Sequence, residues 1–313
     1  MEDLVTVVIP TYHRPDRILR AVNSAQNQTC RVQIIVVDDN GAGTKEQRAT
    51  QSMLLEKSGT GEILYLINEK NRGGSYSRNR GMRQAQGDYI TFLDDDDEIA
   101  PQKLEKQMRR LQEVGEAYTC CYCAYHKISA SGKIYRSHET CEGDVFPYAL
   151  ARSVYLGSGS NLLVRTRTVR QIGGYDETFK RNQDLEFFVR VVERGKLAYV
   201  SDDLLTIHYE IREEKRDYQQ LVDIDAFYLK KMEERIATLT DEQKKAVYQV
   251  VALERWRYGL SRGRYWDGLR NLQKNRVTVR LWLDYVGYLL KRVLCRQSFG
   301  FKWMGKESAY GAK

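Results

Sequence analysis

Apolar and polar positions along the first hundred residues follow two alternating rhythms. Leu4 to Ile9 is a short apolar run that reads as a strand, and Asp16 to Asn27 carries apolar positions at helical spacing. Val32 to Val37 is nearly continuous in apolar residues, as a strand buried on both faces should be. A helix from about Thr44 to Lys57, a strand Ile63 to Ile67, a helix Ser75 to Gln86 and a strand Tyr89 to Leu93 follow, and Pro101 opens a helix running to about Val114. Strand and helix in repeated alternation predict an α/β fold, with a mostly parallel central sheet flanked by helices.

Beyond that the rhythm changes. Ala117 to Ile128 and Lys133 to Ser137 read as a hairpin around Ser131-Gly132, followed by a strand near Asn161 to Val164 and a helix from about Asp184 to Arg194. Helical patterns dominate from Glu213 onward, which places a boundary near residue 212. The expected organisation is a catalytic domain over 1–212 and a helical, basic C-terminal extension over 213–313. Within the first, a nucleotide-binding half covers about 1–100 and an acceptor half about 101–212.

Composition narrows the class. Of 313 residues 42% are hydrophobic and only four are proline, which suits a globular chain with a sizeable core and no long disordered linker. The N-terminus enters a strand directly, without a basic stretch, apolar core or cleavage site, so no secretory signal is expected. No run of eighteen apolar residues occurs, so no membrane-spanning helix is expected. The expected location is cytoplasmic, with peripheral contact at the inner face of the cell membrane. Cys120 and Cys123 have C-x-x-C spacing but lack a second pair to complete a zinc site, and the six cysteines are expected to be reduced and structural. The formal charge of +8 is uneven: from Arg255 to Lys313 fourteen Lys or Arg face three acids, a net of +11, leaving −3 for the rest. A basic tail on a near-neutral body suggests a surface that meets something anionic.

In an open parallel sheet, ligands sit beyond the carboxyl ends of the strands. That rule marks Pro10-Thr11-Tyr12, Asp38-Asp39-Asn40 and Asp94-Asp95-Asp96-Asp97. Four consecutive aspartates repel one another unless something positive sits among them, and carboxylate oxygens are hard ligands suited to Mg²⁺ or Mn²⁺. Asp97 and Glu98, just before Pro101, also suit the start of a helix. Of Asp38 and Asp39, one could receive a nucleobase N–H while the other caps the next helix.

The run Asn71 to Gly81 holds glycines beside Arg72, Arg78 and Arg80, which are matched to phosphate oxygens, although it forms neither a Walker A loop nor a G-x-G-x-x-G fingerprint. Asp184 opens a helix after the Gly173-Gly174-Tyr175-Asp176 turn, where a carboxylate is either an N-terminal helix charge or a base for an attacking hydroxyl. His208 closes the last strand as a structural histidine or, beside Asp96, a second candidate metal ligand. In the tail, Trp282, Val286, Leu289, Leu290 and Val293 share roughly one helical face near Arg280, Lys291, Arg292 and Arg296, the pattern of a membrane-surface helix or of one packed on the protein.

Taken together, residues 4–210 resemble the GT-A fold of family 2 glycosyltransferases. The resemblance rests on Val7-Val8-Ile9-Pro10-Thr11-Tyr12, Val36-Val37-Asp38-Asp39-Asn40, Ser77-Arg78-Asn79-Arg80-Gly81 followed by Gly87-Asp88-Tyr89-Ile90, and Phe92-Leu93-Asp94-Asp95-Asp96-Asp97 with Pro101, in that order. It implies that Asp39 holds the edge of a uracil, that Pro10, Thr11, Tyr12 and Arg14 line the nucleotide, and that Arg78, Asp94 and Asp95 belong to the same site. It also implies that Asp96 of the D-x-D pair binds Mn²⁺ or Mg²⁺ and that Asp184 is the general base. The family usually shows Glu-Asp where this chain has Gln183-Asp184.

The implied function is an inverting, metal-dependent transfer from a nucleotide-sugar, a UDP-sugar by family habit, to a saccharide or lipid-linked saccharide in bacterial cell-surface polysaccharide synthesis. Three other readings fit the sequence less well. A haloacid-dehalogenase type phosphatase wants Thr where Glu98 stands, a nicotinamide dehydrogenase wants glycines where Pro10 to His13 stand, and a non-catalytic nucleotide-sugar-binding module has no need of Asp39, Asp96 and Asp184 together. No recognised nucleic-acid-binding module is present, so no nucleic-acid partner is expected.

Overall fold

The computed structural model describes residues 3–59, 63–209 and 216–303. The boundary expected at residue 212 and the last ten residues of the basic tail lie outside them. The chain falls into two compact units, one made of 1–144 with 156–209 and the other of 145–155 with 210–313.

The first unit runs β1 (Val5–Thr11), α1 (Ile18–Gln26), β2 (Val32–Asp38), α2 (Lys45–Gly59), β3 (Leu64–Ile67), α3 (Gly74–Met82), β4 (Tyr89–Phe92), β5 (Asp97–Ile99), α4 (Lys103–Val114), β6 (Tyr118–Ser129) and β7 (Ile134–Ser137). After α5 (Phe146–Leu150), which belongs to the second unit, it resumes with β8 (Leu163–Arg165), α6 (Thr166–Gln171), α7 (Gln183–Val192) and β9 (Lys196–Tyr209). Strands β3, β2, β1 and β4 are parallel neighbours, as the alternating rhythm predicts. The rest makes the sheet mixed: β8 is antiparallel to β4 and β6, the β6–β7 hairpin is antiparallel, and β9 runs parallel to β6 and antiparallel to β5.

Burial follows from the patterns. Val5, Val7, Val8 and Ile9 of β1 are fully enclosed because helices cover both faces of the sheet. Helix α1 buries Ile18, Ala21, Val22 and Ala25, one stripe at helical spacing. Helix α3 instead presents small and polar residues to the sheet, since a Cβ on Gly81 would stand 2.3 Å from Val8 Cγ1. Its glycine thus brings the arginine-rich face of α3 down onto the strand ends.

Asp97 and Glu98 do not begin a helix. They form β5 with Ile99, paired to Leu205–Ile207 of β9, and α4 starts later at Lys103 without a side-chain cap. The reason is pairing: an edge for β9 outweighs the local preference of acids for a helix start. Cys120, Cys121, Cys123 and Cys141 are reduced and buried, and burial pushes the thiols of Cys120 and Cys123 up to about 12 and about 11, against any thiolate metal site there. Cys295, by contrast, is exposed.

The second unit gathers α5 with α8 (Tyr218–Ala237), α9 (Asp241–Ser261), α10 (Tyr265–Lys274) and α11 (Val279–Leu294). Capping boxes at Asp217/Gln220 and Thr240/Gln243 set the starts of α8 and α9. The segment 145–155, expected within the acceptor half, is held in this unit by a buried ion pair of Arg152 with Asp225 at 2.6 Å, with Arg255 3.4 Å from the same carboxylate. On α11, Trp282 packs edge-on against Trp256 of α9 at 5.5 Å and Tyr285 is fully buried, so the side bearing these two is packed, while Leu290 and Val293, expected on the Trp282 face, are exposed. No helix among the described residues is long and apolar enough to cross a membrane.

Candidate active site

The ends of β1, β2 and β4 meet the loop before β8 and the start of α7. At β2, Asp38 and Asp39 have separate tasks. Asp38 is fully buried, accepts the Asn40 N–H at 2.9 Å and the Tyr65 hydroxyl at 2.5 Å, and has its carboxyl pushed up by burial. It shapes the turn, while α2 is capped by Thr44, whose hydroxyl accepts the Gln47 N–H at 3.1 Å. Asp39 accepts Asn68 Nδ2 at 2.6 Å and the backbone N–H groups of Arg72 and Gly73 at 2.8 and 2.7 Å. An ionised carboxylate offers about four acceptor positions. Three are taken by the 68–73 loop, and one is left for a ligand.

The residues of the Ser77-Arg78-Asn79-Arg80 run turn to different partners. Arg80 donates to Ile67 O and Asn68 Oδ1 at 2.7 and 2.6 Å, so it braces the β3 end instead of facing a phosphate. Asn79 clamps Tyr175, accepting its N–H at 2.7 Å and donating to its carbonyl at 2.9 Å. Arg78 donates to Asp94 Oδ1 at 2.6 Å and to Gln183 Oε1 at 3.2 Å, beneath the Tyr175 ring. Burial alone would weaken its charge, but Asp94 and then Asp184 more than offset that and raise its pKa. Arg72 stays exposed, stacked over Tyr76 at 4.3 Å.

The four aspartates point to four environments. Asp94 is partly exposed and paired to Arg78. Asp95 is buried, with Thr11 donating to one oxygen at 2.7 Å and Arg14 to the other at 3.0 Å, and burial lifts its pKa to about 6. Asp96 is partly exposed, meets the same Arg14 nitrogen at 2.5 Å, and is raised by burial and then by Asp94. Asp97 is buried, accepts the Ser158 and Ser160 hydroxyls at 2.6 Å each, and is lifted by burial to about 7. Thr11, Arg14 and Asp95, expected along the nucleotide, therefore hold one another, and Arg14 supplies positive charge between Asp95 and Asp96. Pro10 lies half-buried in β1, and Tyr12 just beyond it is exposed.

Asp184 lies in the first turn of α7, yet it does not cap the helix: its Oδ1 is buried with no hydrogen-bond partner. Gly159 faces it so closely that a Cβ there would stand 3.0 Å from Oδ1. Burial raises the Asp184 pKa, Arg78 pulls it back, and Asp94 adds to the rise. His208 Nε2 is likewise buried without a hydrogen bond, 3.8 Å from Glu98 Oε2, and burial followed by Arg20 lowers its pKa. Ser158, Gly159 and Ser160 carried no signal in the sequence, because their role lies in distant partners: Asp97 is 61 and 63 residues from the two serines, and Gly159 faces Asp184 on another element.

Comparison with known proteins places this geometry. Residues 6–173 match the model of Glycosyl transferase family 2. A Bacillus subtilis chain carrying the name teichuronic acid biosynthesis glycosyltransferase TuaG is 28% identical over 209 residues, 64% of this chain and 77% of that one. An uncharacterized glycosyltransferase of Rickettsia prowazekii is 30% identical over 211 residues, 64% of this chain and 63% of that one. The match spans less than two thirds of other relatives, 30% of one from Rickettsia bellii and 64% of one from Methanocaldococcus jannaschii. Among solved structures, Staphylococcus aureus TarS 1-349 in complex with UDP-GlcNAc shares the fold, with a TM-score of 0.65 at 15% identity over 95% of this chain and 88% of that one. The Pyrobaculum calidifontis mannosyltransferase PcManGT, in complex with GDP-Man and Mn²⁺, gives 0.55 at 14% identity, over 93% and 81%. With more than half its length matched by the family and the same α/β fold in these neighbours, the chain belongs to glycosyl transferase family 2.

Proposed function

We propose that the chain is an inverting, metal-dependent glycosyltransferase using a UDP-sugar donor and a saccharide or lipid-linked saccharide acceptor. The observation that carries this reading is the buried, unpartnered Asp184 Oδ1, set against the bare backbone of Gly159. A carboxylate oxygen without a donor is costly inside a protein unless a substrate proton completes it. An acceptor hydroxyl supplies that proton. Its oxygen then bonds to the anomeric carbon from the face opposite the nucleotide, the bond to the diphosphate breaks, and the configuration inverts. A raised pKa suits Asp184 to this work, because a base operates best when its pKa lies near the working pH.

On the donor side, the free acceptor position of Asp39 takes the uracil N–H, and Tyr12 covers the base. Arg78 fixes Asp94 at the strand end while also pulling on Asp184. The donor set fits a divalent cation: Asp96 is partly exposed, and His208 offers an orphaned, neutral imidazole nitrogen. No group of three or more His, Cys, Asp or Glu able to hold a metal occurs among the described residues. Asp96 and His208 would hold the Mn²⁺ or Mg²⁺, which when bound would supply charge against the departing diphosphate. UDP and UDP-GlcNAc in the TarS complexes, and Mn²⁺ in the mannosyltransferase, support this donor and metal class. The B. subtilis relative supports a role in cell-surface polysaccharide synthesis, and the basic tail suits a peripheral site at the inner membrane face. Proton NMR of a product made from a UDP-α-sugar tests the mechanism. A β-linked product is expected, and an α-linked one overturns it.

A further inference from the structure

We propose that the outward face of α10 and α11 is a docking surface for an anionic lipid bilayer. Both helices pack on α9 through Trp256, which touches Gly268 of α10 and Trp282 of α11, so both turn their other sides away from it. Those other sides are apolar. On α10, Trp266 is 75% exposed with Leu269 beside it. On α11, Val279, Leu283, Leu290 and Leu294 recur at intervals of four, seven and four, and Leu294 is 79% exposed. That spacing draws one stripe along the helix, opposite the packed Trp282 and Tyr285. Of the face foreseen in the sequence, Trp282 lies inward, whereas Leu290 belongs to the stripe left to solvent and Val293, 73% exposed, borders it.

Charge selects the occupant. Lys274, Arg280, Lys291 and Arg296 are exposed along the same two helices, whereas the acids there are Asp267 and Asp284, and Asp267 is engaged by Arg264 at 2.6 Å. An apolar stripe bordered by lysine and arginine is the composition of a helix that lies in the headgroup layer of an anionic membrane. A second copy would set two basic faces against each other. Docking is lateral, since no described helix can span the bilayer. In purpose this inference rests on the lipid-linked acceptor proposed above: docking would hold the enzyme where such an acceptor is displayed.

The test is sedimentation of the full chain with vesicles of phosphatidylcholine containing phosphatidylglycerol, against pure phosphatidylcholine, at low and high salt. Binding is expected with the anionic vesicles, weakened by salt. It is expected to fall about tenfold or more in Leu290→Glu/Leu294→Glu, because both sites are exposed and the loss removes buried apolar surface and adds repulsion. Thermal unfolding of the variant shows that it folds. UDP titration in parallel separates the two readings: UDP binding without vesicle binding overturns docking alone, and vesicle binding without UDP binding leaves docking standing while the transferase reading fails. Concentration-dependent dimerisation abolished by the double substitution would assign the stripe to a second copy and overturn the proposal.

Discussion

Ser160 donates its hydroxyl proton to Asp97 at 2.6 Å and, with the same oxygen, accepts the Asp94 backbone N–H at 3.0 Å. One side chain thereby sets both ends of the aspartate run, and Ser158 doubles its hold on Asp97. Residues behind a ligand shell orient it, and losing one typically costs about 10- to 100-fold in metal affinity. Ser160→Ala is expected to weaken Mn²⁺-dependent UDP binding by roughly tenfold. Ser158→Ala, which leaves the Asp94 contact intact, should cost less. Equal losses in calorimetric titrations of the two variants would show that the Asp94 contact has no part.

Asp97 makes stability depend on pH. Its folded pKa, about 7, lies above the ordinary value of 3.8. Between those values the folded state binds the extra proton, so stability falls as pH rises through that window and levels off above it. Asp97→Asn removes the titration. In metal-free protein its stability relative to the parent should improve between pH 4 and pH 7. A difference independent of pH in urea unfolding would contradict the assignment.

Arg78 lowers the pKa of Asp184, and so its removal has a signed consequence. A general base must be ionised, and activity is lost as pH falls through its pKa. Arg78→Gln should move the acid limb of the kcat/KM profile to higher pH. Arg78→Lys, which keeps the charge, should move it less. An acid limb that stays in place in Arg78→Gln would detach Asp184 from it.

Asp184→Asn keeps the size of the side chain and removes the base. Transfer should fall by roughly 10²–10⁴-fold, with UDP affinity unchanged by calorimetry. Loss of UDP binding instead would make Asp184 a binding residue. Gly159→Ala should reduce kcat more than it raises the donor KM, because its methyl would press on the Asp184 carboxylate.

Much of the fold was legible because it is written locally. The β1–α1–β2 rhythm, the aspartate run at the β4 end and the position of Asp184 all follow from short stretches read with the rule that ligands meet strand ends. What was not legible depends on distant partners. Arg80 looks like a phosphate ligand until Ile67 and Asn68 take it, and Asp97 looks like a helix cap until β9 draws it into a strand. The segment 145–155 gives no local sign that Arg152 will pair with Asp225, 73 residues on. On α11 the sequence shows apolar residues on more than one side, and only packing on Trp256 reveals which side is inner.

The proposed transfer depends on a metal-dependent uridine nucleotide site at the aspartate run. Calorimetric titration of UDP into the protein, with and without Mn²⁺, decides whether that site exists. Binding that requires Mn²⁺ and disappears in Asp96→Ala is the predicted result. Binding that is indifferent to Mn²⁺ and survives in Asp96→Ala, or no binding of UDP under either condition, would contradict it.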